Sequence, residues 1–360
     1  MATATRHSAM THMTLLRGFL AAVMAALLIQ TGSPAMARTW PESCPRLTGT
    51  FIQPLLEQGS WTQNDWNALM AELDAVGVET LYLQWTQLDR FNVFEEGSRQ
   101  DLAAPIIERV LAAAEAYGIK LWLGLVYDPG YWDRIRQEAP LVEVYLRRHR
   151  VSNLELVNRL NDAAGASPAF AGWYITEEID DVTWQDVAKK NLLIEHLAAT
   201  VADIRTVTPA APIAISGFTS ATLDPAALAD FWFDLLSQSG IDVFLMQDGY
   251  GVHQGNILPE DMAIYMQSLR DAAQAAGAQF GVIVELFTQV AGQPINDEPF
   301  AAVPAGFDRL PEQLALAADF SDQRIGFSMP EYMSSGGPPS AGALYRDYVL
   351  WLLDTCGAGN

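Results

Sequence analysis

The chain has 360 residues, half of them hydrophobic and 18% charged, so it holds enough apolar material for a large core and excludes a long disordered tract. Its formal charge of −22 excludes a nucleic-acid binder, because no cationic track exists to displace counterions from phosphate. The densest basic stretch, Arg147, Arg148 and Arg150, reads as an exposed helix face.

The first elements are an address label. Arg6 and Arg17 precede the apolar run Gly18 to Ile29, and Ala35-Met36-Ala37 supplies the small-x-small pattern of a secretory signal peptide, with cleavage expected after Ala37. The apolar run is shorter than the roughly 18 to 20 residues of a membrane span, and no later stretch is long enough. The leader carries two basic residues and no acids, so its removal takes the charge from −22 to −24. The expected product is residues 38–360, secreted or periplasmic, with no membrane insertion; oligomeric state is left open.

Eight apolar runs follow: Thr48 to Gln53, Thr80 to Trp85, Lys120 to Tyr127, Ala171 to Glu178, Pro212 to Phe218, Asp242 to Asp248, Gln279 to Phe287, and Arg324 to Glu331. Nearly continuous apolar character marks strands of a parallel sheet covered on both faces. Between them, Trp61 to Val76, Asp101 to Tyr117 and Leu258 to Ala276 repeat apolar residues at helical spacing. Ser60, Asp101 and Asp224 with Pro225 read as helix starts, and Gly77, Gly118, Gly240 and Gly277 as helix ends. Eight even βα repeats with right-handed crossovers predict a single (β/α)8 barrel of the α/β class over residues 38–360. A doubly wound open sheet is the alternative, but the first strand runs into Gln53 and Pro54 rather than a Gly-rich loop. The Gly/Pro-rich stretches Ala291 to Phe307 and Ser334 to Pro339 read as long loops.

In such a barrel the chain enters the first strand and leaves the last helix at the same face, which brings together the only two cysteines, Cys44 and Cys356. A disulfide between them is expected in an oxidising compartment; two free thiols are the alternative.

Active sites of barrels form at the carboxyl ends of the strands. There this chain offers Gln53, Gln84, Trp85, Tyr127, Asp128, Glu177, Glu178, Asp180, Gln247, Asp248, Glu285, Glu331 and Tyr332. Amides, carboxylates and aromatic rings suit sugar hydroxyls and the C–H faces of sugar rings. Strand alternation puts Trp173 and Ile175 outward and Tyr174, Thr176 and Glu178 inward, so Glu178 rather than Glu177 faces the site. The same alternation turns Glu285 inward, on a strand three positions around the ring of eight. Two opposed carboxyl groups are what glycoside hydrolysis needs. Glu178 is therefore expected as general acid/base and Glu285 as nucleophile or base, with Gln53, Gln84, Trp85, Tyr127, Tyr174, Gln247, Asp248, Glu331 and Tyr332 around the sugar. Asp248 can instead form an Asx turn, and Glu331 can instead cap a helix.

The histidines of the mature chain, His149, His196 and His253, have no zinc-ligand spacing, and His196 reads as a helix-surface residue. No metal or cofactor is expected. A GxSxG elbow is absent too.

The motifs GTFIQP, WTQNDW, LYLQWT, GWYITEEIDD, FLMQDGYG and IVELF, spread over nearly the whole mature chain, resemble a family of bacterial glycosidase-like barrels known as a domain of unknown function. The resemblance implies a glycoside-hydrolase-type barrel acting on an oligo- or polysaccharide, with Glu178 and Glu285 as its acids and Gln247 and Asp248 beside them. Where retaining barrel enzymes usually carry Asn directly before the fourth-strand acid, this chain has Glu177. A non-catalytic glycan-binding or scaffold protein of an envelope or exopolysaccharide system is the alternative to an enzyme.

Overall fold

The structure is a computed structural model describing residues 40–55, 58–88, 91–92, 106–253, 257–293 and 295–357. The expected signal peptide lies outside these residues. Eight parallel strands close into a barrel: β1 (Gly49–Ile52), β2 (Thr80–Leu83), β3 (Lys120–Gly124), β4 (Phe170–Ile179), β5 (Ile213–Gly217), β6 (Val243–Gln247), β7 (Gln279–Glu285) and β8 (Arg324–Phe327). Each pairs with its neighbours in sequence, and β8 pairs with β1 to complete the ring.

Among the described residues eight long helices cover the strands: α1 (Gln63–Ala75), α2 (Ile106–Tyr117), α3 (Ala139–Ala164), α4 (Val187–Val207), α5 (Pro225–Ser239), α6 (Pro259–Ala275), α7 (Leu310–Phe320) and α8 (Pro339–Thr355). Among the described residues no helix is long and apolar enough to cross a membrane. Asp224 caps α5 through Ala227 N at 2.9 Å, with Pro225 in the first turn. At the other end Gly240 adopts φ +75°, which a side chain would strain. The cap of α1 is Thr62, not Ser60: Thr62 and Asp65 exchange hydrogen bonds in a capping box, while Ser60 closes a preceding turn. Asp101 lies outside the described residues.

Two expectations are corrected. β8 stops at Phe327, and Met329–Tyr332 forms one helical turn with Pro330 in its first positions, where a missing N–H costs nothing. Glu331 and Tyr332 therefore sit on a turn above the strand. The expected loop from Ala291 to Phe307 is partly an antiparallel arm, in which Phe287–Ala291 pairs with Ala301–Pro304. Two such short strands around a Gly/Pro-rich centre carry too few alternations to read.

The barrel interior is an aromatic plug. Phe51, Tyr82, Trp122 and Tyr174 fill it with Val243, Leu245, Ile283 and Ile325. Phe51 lies 4.9 Å from Tyr82 and 5.1 Å from Tyr174, centroid to centroid, and Tyr82 stacks on Trp122 at 5.3 Å. Below the plug, the amino-terminal opening is a cavity of about 580 Å³ ringed by Thr48, Thr80, Lys120 and Gln279. Near this face Cys44 and Cys356 form a disulfide with Cα atoms 5.6 Å apart. Tyr348 Oη accepts from Leu47 N at 2.9 Å, and the Arg324 guanidinium donates to Arg46 O at 2.6 Å, so the segment entering β1 is bound to the last strand and the last helix.

Candidate active site

β4 delivers two adjacent glutamates to opposite sides of the barrel wall. Trp173 and Ile175 join the outer core and Tyr174 the plug, and the alternation carries through to the end of the strand. Glu177 is buried under α3 and α4, where Oε1 lies 2.9 Å from His196 Nε2 and 3.4 Å from His149 Nε2. Burial would raise its pKa, but the His149 charge and the hydrogen bonds from both histidines outweigh that and hold the carboxyl far below its usual range. Burial would likewise lower His149, and the Glu177 charge reverses it to a net rise. His196 is 6% exposed and bound to Glu177, which corrects its reading as a surface residue. A helical position could not reveal this, because the partner is 19 residues away on a strand.

Glu178 turns the other way and is half-buried at the mouth. Its Oε1 accepts from Gln247 Nε2 at 3.1 Å, and burial pushes the carboxyl up to about 7, opposed by that hydrogen bond. Tyr127 senses this charge: its phenol is raised by burial, then by Glu178 and Asp128.

Glu285 ends β7 in phase with Ile283 of the plug and is 2% exposed. Its Oε2 accepts from Gly251 N at 2.6 Å and Val252 N at 3.1 Å, both in the short helix Tyr250–His253. Burial and the charge of Asp248 raise its carboxyl, opposed by the two N–H groups and by Arg309. β4 and β7 are three steps apart around the ring.

Other expected residues divide into those at the mouth and those removed from it. Gln53 Nε2 donates to Gln84 Oε1 at 2.7 Å, and Gln53 N donates to Glu331 Oε1 at 2.9 Å, joining β1, β2 and the turn after β8. Glu331 is also bonded by Ser328 Oγ. Trp85 donates through Nε1 to Pro54 O and packs on Tyr127 at 5.0 Å. Tyr332 packs on Phe287 at 5.4 Å, making one aromatic wall.

Tyr174 and Asp248 are placed elsewhere. Tyr174 is 1% exposed in the plug, with its hydroxyl 2.7 Å from Ser216 Oγ. Asp248 follows β6 out of phase with Val243, Leu245 and Gln247, and is buried beneath the mouth. Its Oδ1 accepts from Tyr250 N and Glu285 N, both at 3.2 Å, and its Oδ2 from Gln313 Nε2 at 2.7 Å. It braces the segment that carries Glu285 rather than facing a ligand. Gln313 and Arg309 complete this brace and were not readable in advance, since both come from the seventh helix and the turn before it. Among the described residues no group of His, Cys, Asp and Glu could hold a metal ion.

Residues 47–342 match the model of a family described as a domain of unknown function, DUF4434. The chain belongs to this family. It is 29% identical over 284 residues to the uncharacterized protein YbcH of Escherichia coli K12, covering 79% of this chain and 88% of that one. A crystal structure of a putative alpha-L-fucosidase from Bacteroides thetaiotaomicron superposes with a TM-score of 0.69 at 20% identity, over 89% of this chain and 98% of that one. A beta-galactosidase from Rahnella sp. R3 superposes at 0.54 with 12% identity, over 87% of this chain and 57% of that one. At these identities the likeness carries the fold alone, a closed eight-stranded parallel barrel ringed by helices.

Proposed function

We propose that this DUF4434 protein is an exported glycoside hydrolase that cleaves an oligo- or polysaccharide at the carboxyl-terminal mouth of the barrel. The observation that carries the reading is Glu178: a carboxyl at the end of β4, open to the mouth, held by Gln247 and raised to about 7. A group so tuned still holds a proton to donate near neutrality, as protonation of a glycosidic oxygen requires. Glu285 is the second carboxyl, nucleophile in a retaining or base in an inverting reaction; that role needs the ionised form, which Gly251 N–H, Val252 N–H and Arg309 favour against burial and the charge of Asp248. Gln53, Gln84, Glu331, Trp85, Tyr127 and Tyr332 orient the sugar. The Cys44–Cys356 disulfide supports an oxidising compartment and hence export.

The test is hydrolysis of a glycan panel by wild type, Glu178→Gln and Glu285→Gln. Loss of turnover in both variants supports the assignment, and comparable turnover by all three sinks it. A second reading, a glycan-binding barrel without turnover, is favoured by one observation: Glu285 is almost wholly buried, and one of its oxygens already spans two backbone N–H groups. That reading expects saturable glycan binding with no product at any pH.

A further inference from the structure

Behind Tyr127 a separate cavity of about 210 Å³ lies between the segment after β3 and helix α3. Asp128, Arg134, Tyr145, Arg148 and His149 supply its polar lining. Ligand pockets for larger molecules run from about 300 to 1,000 Å³, so this one has room for a single ring or its substituent.

Charge decides what would enter. The chain is strongly acidic, yet six arginines fall between Arg134 and Arg159. Within the cavity Arg134 is paired with Asp128 at 3.2 Å, and His149 with Glu177. Among the described residues the Arg148 guanidinium has no ion-pair partner. Arg148 is thus a solvent-exposed cation at the rim of the cavity, free to pair with an incoming anion, beside one buried hydroxyl. Tyr145 is 8% exposed, and its hydroxyl is turned toward Asp128 without completing a well-formed hydrogen bond. His149 is as deeply buried and keeps Glu177 as its counter-charge, its Nε2 3.4 Å from Oε1. A buried hydroxyl left short of a good bond in this way can take a further partner. Arg134 is held over the Tyr145 ring at 5.3 Å, so one wall is fixed before any ligand arrives. Tyr127 belongs to both places, lining the cavity and packing on Trp85 at the mouth.

We propose that this cavity is a subsite for a sugar carrying a carboxylate, a uronate unit of the glycan. The carboxylate meets the Arg148 fork and the Tyr145 hydroxyl, and the ring lies along Tyr127. A planar acid suits a guanidinium that can donate two parallel hydrogen bonds. One acid per recognised unit also reconciles the site with the acidic surface, which disfavours polyanions at long range but is screened beyond roughly 10 Å. The role as a subsite rests on the glycoside reading; binding itself does not.

The experiment titrates the mature protein with glucuronate, glucose and inorganic sulfate by ligand-observed NMR, using wild type, Arg148→Ala, Tyr145→Phe and Glu178→Gln. Glucuronate is expected to bind about tenfold or more tightly than glucose or sulfate. Arg148→Ala removes that preference, Tyr145→Phe weakens it severalfold without a change of shape, and Glu178→Gln keeps it. Equal binding of glucuronate and glucose, sulfate binding as tightly as glucuronate, or an unchanged preference in Arg148→Ala overturns the proposal. Retained hydrolysis by Glu178→Gln would instead defeat the hydrolase reading and leave the binding result standing.

Discussion

Gln247 Nε2 stands 3.1 Å from Glu178 Oε1, so an amide from β6 holds the carboxyl that β4 brings to the mouth. This bond favours the ionised form and burial opposes it, and burial wins. Activity that needs the protonated acid should be present below about pH 7 and fall as pH rises through that value. Gln247→Leu removes the lowering contact, so its alkaline limb should move to higher pH while kcat drops. A pH–rate profile of both proteins checks this. For folding the sign is the same: a raised carboxyl contributes stability in full below its unfolded value and loses it as pH rises through about 7.

Glu177→Gln should damage the fold rather than the chemistry. It leaves His149 and His196 buried without their counter-charge, a loss on the order of 3–5 kcal/mol. The lowered Glu177 contributes stability above its unfolded value and loses it as pH falls; the raised His149 contributes below its unfolded value and loses it as pH rises. The deficit of the variant in thermal unfolding should therefore be largest between those limits and shrink toward alkaline pH.

Gly251→Ala tests the hold on Glu285. An added methyl would lie 2.9 Å from Glu285 Oε2 and 2.4 Å from Phe287 O, and backbone cannot yield cheaply. Turnover should fall by roughly 10- to 100-fold with a stability loss of about 1–3 kcal/mol. An unchanged kcat would separate Glu285 from the reaction.

Removal of the disulfide by Cys44→Ser with Cys356→Ser should cost about 2–5 kcal/mol. The wild type, denatured without reductant, should show no titratable thiol.

Alternation along a strand was the most legible feature of the sequence. It separated Glu178 from Glu177 because Trp173, Tyr174 and Ile175 set an unambiguous phase. The same alternation applied to β6 puts Asp248 on the side opposite Gln247, and Tyr174 is too deep in its strand to reach a ligand. The Glu177–histidine cluster was hidden because it depends on how two helices rotate against the sheet. Glu331 was misplaced because an apolar run ending in Met329-Pro330 reads as strand, whereas proline there opens a helical turn.

The aromatic plug makes the two ends of the barrel independent compartments. Phe51, Tyr82, Trp122 and Tyr174 pack between the amino-terminal cavity and the mouth, so on the proposed reading the proton that recharges Glu178 arrives from the mouth. A molecule lodged at the amino-terminal end would not compete with one at the carboxyl-terminal end, and a mixed-inhibition experiment would see two separate vessels.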